Sequence, residues 1–529
     1  MEAVRETRRC PERFDSRFSQ GHSLIAVFAP PHLRCRVHPA DAKVWIMTSQ
    51  VHTSAGTVRG AWEDGVAVFR GVPFAAPPVG PRRFAAPCPP VPWDGVREVA
   101  EFGPPPPQPG RPTAGDDWLN LAVWTPSPGR TGLPVVVWIS GGKYLHCDTA
   151  NPHFDGATLA RAGVVVVSAH YRSGFEGFAR VHGAPDNRGL LDQVAALRWV
   201  RDNITAFGGD PANVTVFGES AGAGSIAALL VMPAATGLFR RAILQSIPGT
   251  YFSPALATDI ATEISAELGR PPRIGDLAET PPDDLVQAAS TVTARLPRSA
   301  RRWGAVAHTP TPFSPVVDGD ILPVAPWAGL GDGAARDVDL LIGHTRDEFS
   351  LLANRLDDIG DAEVDVLVDG LTPTPGARRY RTAYPSLPPR KLRETALSDW
   401  LFRMPTLHVA EAAHAGGARV WFSELRWGFG PAGASHALDT LLVFGTAHID
   451  TGLTEAGPAA MAQASRLSAL MRSEHLSFAA TGNPGWARYR PRGQATRVYD
   501  TAPTVTGYPE KRSHKIWRDQ RFGILDLAR

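Results

Sequence analysis

Apolar residues along this chain fall in short unbroken runs rather than in alternation. Val135-Val136-Val137-Trp138-Ile139 and Val164-Val165-Val166-Val167-Ser168 are the plainest cases. Asn120–Thr125, Val214–Phe217, Ala242–Ser246, Asp339–Gly343 and Arg419–Ser423 have the same character. A strand written this way hides both of its faces, as strands of a parallel sheet do. Between Asn187 and Phe207 the period changes. Leu190, Leu191, Val194, Leu197, Val200 and Ile204 share one face at helical spacing. Asp186 is placed to cap that helix, and Gly208-Gly209 to end it. Buried strands alternating with helices predict a doubly wound α/β core with a large, mostly parallel sheet. Val51 to Asp94 reads as short strands and Pro-rich loops, and Pro104–Pro109 as an extended loop. Residues 254–300 and 350–416 read as mainly helical or irregular cover. No fixed-period repeat is visible. Residues 1–46 are Arg-rich and without periodicity, which predicts a disordered tail or upstream extension, with 47–529 as one large domain.

One stretch carries chemistry. Val214–Phe217 runs into Gly218-Glu219-Ser220-Ala221-Gly222, the G-x-S-x-G pattern of a nucleophile elbow. A serine at a strained strand-to-helix turn is held exposed while neighbouring backbone closes in. Gly218 and Gly222 offer no Cβ to clash there. The helix expected after Ser220 aims its unpaired N–H groups at the reacting centre, so the N–H of Ala221 is one candidate oxyanion donor. The overlapping Gly222-Ala223-Gly224-Ser225-Ile226-Ala227 mimics a dinucleotide fingerprint. Such a site wants an acidic residue about 20 positions on, and no Asp or Glu lies between Thr236 and Phe252.

Composition narrows the remaining options. Fifty-four basic and 52 acidic residues leave a net charge of +2, which gives no reason to expect a nucleic-acid or membrane-surface partner. No apolar run reaches the ~18 residues of a membrane span, and Leu24–Ala29 is too short for a signal segment. Cys10, Cys35, Cys88 and Cys147 lie far apart with no metal-ligand spacing. These features predict a soluble cytoplasmic protein without metal or organic cofactor.

A serine hydroxyl needs a base oriented by a carboxylate, in the chain order Ser, acid, His on this fold class. Sixteen histidines do not identify the base by type alone. Here a resemblance helps. Ala184 to Ser225, APDNRGLLDQVAALRWVRDNITAFGGDPANVTVFGESAGAGS, closely resembles the type-B carboxylesterase family, which also contains the cholinesterases. Phe69–Ala75, Ser314–Asp320, Ala242–Ser246 and Phe478–Pro484 resemble it too, so the similarity extends from about Val51 to Tyr499. The resemblance implies an α/β-hydrolase fold and a bacterial-type serine esterase acting on a small-molecule ester. Ser220 would be the nucleophile. Gly343-His344-Thr345-Arg346-Asp347-Glu348 resembles the segment that supplies the acid, placing it at Glu348, with Asp347 beside it leaving the register open. Gly433-Ala434-Ser435-His436-Ala437-Leu438-Asp439 resembles the segment that supplies the base, placing it at His436.

Two departures stand out. The family usually has His-Gly-Gly-Gly or His-Gly-Gly-Ala where this chain has Ser140-Gly141-Gly142-Lys143. The implied oxyanion donors are then the N–H groups of Gly142, Lys143 and Ala221, with a lysine charge beside the reacting carbonyl. Pro106 and Trp118 replace two cysteines that the family often joins, which fits a reducing compartment. Cys147, just past the oxyanion segment, is expected to be a buried inert thiol. Two other readings remain: a binding protein that kept the fold and lost catalysis, and amide or lactone hydrolysis by the same machinery.

Overall fold

The computed structural model describes residues 48–353 and 359–528. The tail expected over 1–46 lies outside the described residues. A single sheet organises the rest. Its strands are β1 (Thr48–Thr53), β2 (Gly56–Glu63), β3 (Val66–Pro73), β4 (Val96–Glu98), β5 (Asn120–Thr125), β6 (Leu133–Ile139), β7 (Val165–Ala169), β8 (Gly209–Glu219), β9 (Arg241–Gln245), β10 (Asp339–Thr345), β11 (Arg419–Leu425), β12 (Thr496–Tyr499) and β13 (Thr504–Thr506). They stand in the order β1-β2-β3-β5-β7-β6-β8-β9-β10-β11-β12-β13, with β4 beside β2. From β7 through β12 every pairing is parallel; the pairings among β1, β2, β3, β5 and β7, and that of β12 with β13, are antiparallel.

The unbroken apolar runs find their explanation here. In β6, Val135, Val137 and Ile139 enter one hydrophobic core while Val136 and Trp138 enter another on the opposite face of the sheet. β7 divides the same way, with Val165 and Val167 on one side and Val166 on the other. Successive side chains of a strand point to opposite faces, so a strand covered on both must be apolar at every position.

The expected helix after Asn187 runs Arg188–Asn203, continues as a 3-10 turn Ile204–Phe207, and stops at Gly208, whose φ is 93°. Its start differs from expectation. Asp186 does not cap it and instead stands 3.5 Å from Arg180. The capping position is Asn187, left-handed at φ 54°, with no side-chain cap bond. Asn187 Nδ2 donates to the Val316 carbonyl at 2.8 Å, and its Oδ1 accepts from Val316 N at 2.8 Å. A long-range use of the side chain has overridden the local one. The same helix carries Asp192, which holds the fully buried Arg172 through Nε and Nη2, both at 2.8 Å, and accepts from Arg172 N at 2.9 Å.

The stretches expected to be helical cover hold helices Pro254–Ala266, Pro282–Arg295, Asp361–Leu371, Gly376–Ala383, Pro389–Ser398 and Met404–Ala415. The last two are joined by one π turn, Asp399–Arg403. Among the described residues no helix is long and apolar enough to cross a membrane.

Candidate active site

In an open α/β sheet, loops leaving the carboxyl ends of the strands near a switch in strand order form the binding crevice. Five loops of that kind meet here. They follow β6, β8, β9, β10 and β11, and they carry Gly142-Lys143, Ser220, Ser246, Glu348 and His436 respectively.

Ser220 sits between β8 and the helix Ala221–Leu229 with φ 55° and ψ −126°. Such a conformation is costly for a residue with a Cβ and persists only when its surroundings enforce it. The steric reason for the two glycines is direct. A Cβ on Gly222 would lie 2.0 Å from the Ile139 carbonyl oxygen, and one on Gly218 2.7 Å from the Gly222 carbonyl carbon. All nine residues of the following helix are buried, and the small side chains of its Ala, Gly and Ser residues let it settle against the sheet.

His436 lies opposite. Its Nδ1 is 2.5 Å from Glu348 Oε2 and its Nε2 is 3.0 Å from Glu219 Oε1. Glu348 is fully buried and its Oε1 accepts from Ser246 Oγ at 2.7 Å and from Thr345 N at 2.8 Å. Its neighbour Asp347 turns away: its N–H donates to the Ala434 carbonyl at 2.9 Å and its Oδ2 accepts from Ala434 N at 3.0 Å. Of the two carboxylates, Glu348 therefore meets the imidazole while Asp347 ties the β10 loop to the His436 loop. The Phe402 ring, from the π turn, lies 4.3 Å from the His436 ring. Ser220 and His436 line the same cavity. Among the described residues no hydrogen bond joins the Ser220 hydroxyl to the imidazole, whose Nε2 faces Glu219 instead.

The charges explain one another. Burial works against a charged His436, but the carboxylates of Glu219 and Glu348 outweigh it and raise the imidazole well above its ordinary value. Burial pushes Glu348 up, and the adjacent His436 more than reverses that, so it stays ionised. Asp439 is pushed up to about 8, first by burial and then by the charges of Glu348 and Glu219. Two carboxylates thus flank one ring, and their charges push Asp439 toward its protonated form.

The loop after β6 approaches Ser220 closely. A Cβ on Gly141 would lie 3.1 Å from Ser220 Cβ. Gly142 has φ 126°, and Lys143 and Tyr144 are both left-handed at 62° and 57°. Gly142, Lys143 and Ala221 all line the cavity of about 270 Å³ that contains Ser220 and His436. A second cavity of about 490 Å³, lined by Arg111, His146, Asp148 and Asn151 among others, shares Gly142 and Glu219 with it. Cys147 borders the second cavity, buried and with its thiol pushed up to about 12 by burial. The expected burial of this thiol is observed. Among the described residues no group of His, Cys, Asp or Glu is arranged to hold a metal ion.

Sequence reasoning overlooked Glu219, Ser246, Phe402 and Asp439. Glu219 occupies a free position of the elbow motif and Asp439 follows the histidine by three, so proximity in sequence was the available signal for both. Ser246 and Phe402 carried none.

Sheet order, elbow and converging loops together define an α/β-hydrolase. Comparison with known proteins narrows that class. The carboxylesterase family model matches residues 47–370. The para-nitrobenzyl esterase of Bacillus subtilis (strain 168) is 36% identical over 492 residues, covering 88% of this chain and 97% of the relative. Among solved structures, that of a PNB esterase superposes with a TM-score of 0.77 at 35% identity, and that of the Geobacillus stearothermophilus carboxylesterase EST55 with 0.79 at 35%. Each covers 88% of this chain and 99% of the other. The protein belongs to the carboxylesterase family and is a type-B carboxylic ester hydrolase.

Proposed function

We propose that the protein hydrolyses small carboxylic esters through an acyl-enzyme intermediate. Ser220 attacks the acyl carbon while His436 Nε2 takes its proton, and Glu348 fixes the ring's tautomer through Nδ1. The N–H groups of Gly142, Lys143 and Ala221 receive the developing oxyanion, where losing one donor typically costs about 10²–10³ in rate. His436 then protonates the leaving alcohol, and water attacks the acyl-enzyme by the same relay. Glu219 has a place in this scheme. It holds Nε2 in the resting site, and the ring must leave it for the hydroxyl before attack. Catalytic contacts are often loose without substrate and tighten in the complex.

The observation that carries this reading is the imidazole bound at Nδ1 by a buried glutamate while it shares one cavity with a strained elbow serine. A fluorophosphonate probe tests it. Labelling and ester hydrolysis are both expected in the wild type, and Ser220→Ala should abolish labelling and lower kcat by at least about 10³-fold. Unchanged turnover in Ser220→Ala would refute the scheme.

A further inference from the structure

We propose that Glu424 and Glu510 form a pH-sensitive latch: one proton shared between them ties the segment beginning at Tyr508 to strands β10 and β11, and its loss in alkali loosens that segment. Neither residue enters the ester chemistry proposed above. Three observations converge on the pair.

The first is burial without partners. Glu424 lies on β11, beside His344 of β10 on one side and Val498 of β12 on the other. It is buried, and neither of its carboxyl oxygens accepts a hydrogen bond among the described residues. An ionised carboxyl is costly in such a place, and a proton relieves the cost. Directed at Glu510, that proton also gives the pair a hydrogen bond that two carboxylates cannot form.

The second is the charge balance around the pair. Arg403 is held by Asp399 at 2.6 Å and stands 3.6 Å from Glu510. Burial raises Asp399, which Arg403 and the Tyr380 hydroxyl hold in place. Arg346 is held by Asp347 at 2.8 Å. Arg426 is left to serve two carboxyl groups, at 3.3 Å from Glu424 and 3.8 Å from Glu510. The other titratable groups of the cluster are neutral. Burial lowers His344 to about 4, and burial followed by the charge of Glu424 raises Tyr508 well above its ordinary value. These two bond to each other at 3.0 Å. Glu348 faces His344 but is bound to His436. Lys511 and Arg512, which follow Glu510, are exposed. Four carboxyl groups, Glu424, Glu510, Asp399 and Asp347, thus meet three guanidinium groups. Burial, and then the charge of Glu510, holds the Glu424 carboxyl well above its ordinary value.

The third is position. Glu510 stands at the start of the helix Lys511–Trp517 and is only partly buried. Arg403, which faces it, also donates to the Arg346 carbonyl at 3.0 Å, two residues before Glu348. Losing the Glu424 proton therefore sets like charges between β11 and the C-terminal helix, at a point that leads on to the Glu348 loop.

The direction of the pH effect follows. The folded protein keeps the Glu424 proton where an unfolded chain, at the ordinary 4.5, has lost it. The latch contributes fully below 4.5 and weakens as pH rises toward the folded-state value. Over that window the unfolding constant grows by up to about tenfold per pH unit. Urea titrations of the 529-residue chain read it. The ratio of the wild-type unfolding constant to that of Glu424→Gln, whose amide cannot ionise, should rise about tenfold or more from pH 6 to pH 8. Hydrogen exchange, corrected for its intrinsic pH dependence, locates the effect. Protection across residues 508–518 should fall between pH 6 and pH 9 in the wild type and hold in Glu424→Gln. A ratio flat with pH overturns the shared proton, and wild-type protection that stays constant overturns the latch. Should Glu424→Gln not fold, Glu510→Gln takes its place. It removes the like charge from the partly exposed member and should shrink the fall in protection; a fall of undiminished size overturns the proposal.

Discussion

His436 stands between two carboxylates, Glu348 at Nδ1 and Glu219 at Nε2. Both raise the imidazole above its ordinary value of 6.5, and burial does not cancel them. A general base works only when neutral. If His436 is that base, kcat/KM should climb with pH on a limb centred above 6.5 and be low in acid, where the ring is an imidazolium held in place. Glu219→Gln removes one of the two charges that favour protonation. The limb should then move toward acid, and a pH–rate profile of the pair of proteins checks the direction. A limb that stays in place would show that Glu219 does not govern the protonation of the base. The motif pointed to Ser220 by its glycines, and similarity pointed to Glu348 and His436. Nothing in it assigned Glu219 to the imidazole, because its role depends on a ring from the far side of the cavity.

The helix Arg188–Asn203 shows what local pattern captures and what it misses. Its apolar face was written plainly at helical spacing. Its first turn was not, because the side chain of Asn187 is spent on Val316 rather than on the helix end. Its polar residue Asp192 is buried with Arg172, both fully inaccessible. Replacing the pair with apolar residues can be neutral, but removing one partner strands the other charge. Asp192→Ala should therefore lower stability by about 3–5 kcal/mol, read as a drop in the denaturation midpoint, and Arg172→Met in the same chain should recover much of it. The π turn Asp399–Arg403 is a second such element. Asp399 accepts from Arg403 Nε at 2.8 Å and from the Tyr380 hydroxyl at 2.7 Å, and Trp517 Nε1 donates to that hydroxyl at 2.7 Å. These contacts hold the turn that presents Phe402 to His436, and no periodicity in 350–416 announced it.

Residues 47–529 form one compact unit. The C-terminal segment is tied to it by backbone bonds: Leu525 N donates to the Tyr251 carbonyl at 2.7 Å, and Ser253 N to the Leu525 carbonyl at 2.8 Å. We propose that this unit carries the catalytic activity without residues 1–46. A chain beginning at Met47 should then match the 529-residue chain in kcat/KM and in denaturation midpoint, and a loss in either would show that residues 1–46 contribute. Deleting the segment after Tyr508 should instead destabilise the protein, since it removes Trp517 and the Leu525 contacts together.

Strand identity, helix faces and the elbow were open to reading from the residues, because each follows from sterics and periodicity within a dozen neighbours. The conformation of Ser220 is only partly of that kind: Gly218 makes room for Gly222 within the turn, but Gly222 makes room for the Ile139 carbonyl of the neighbouring strand β6. Strand order was not open in that way, nor was the choice of Glu348 over Asp347, nor the meeting of Glu219 and Glu348 on one imidazole. His436 meets Glu348 across 88 residues of chain. Contacts over such spans are set by which loops the sheet gathers at one edge, and desolvation then decides which carboxyl groups keep their charge.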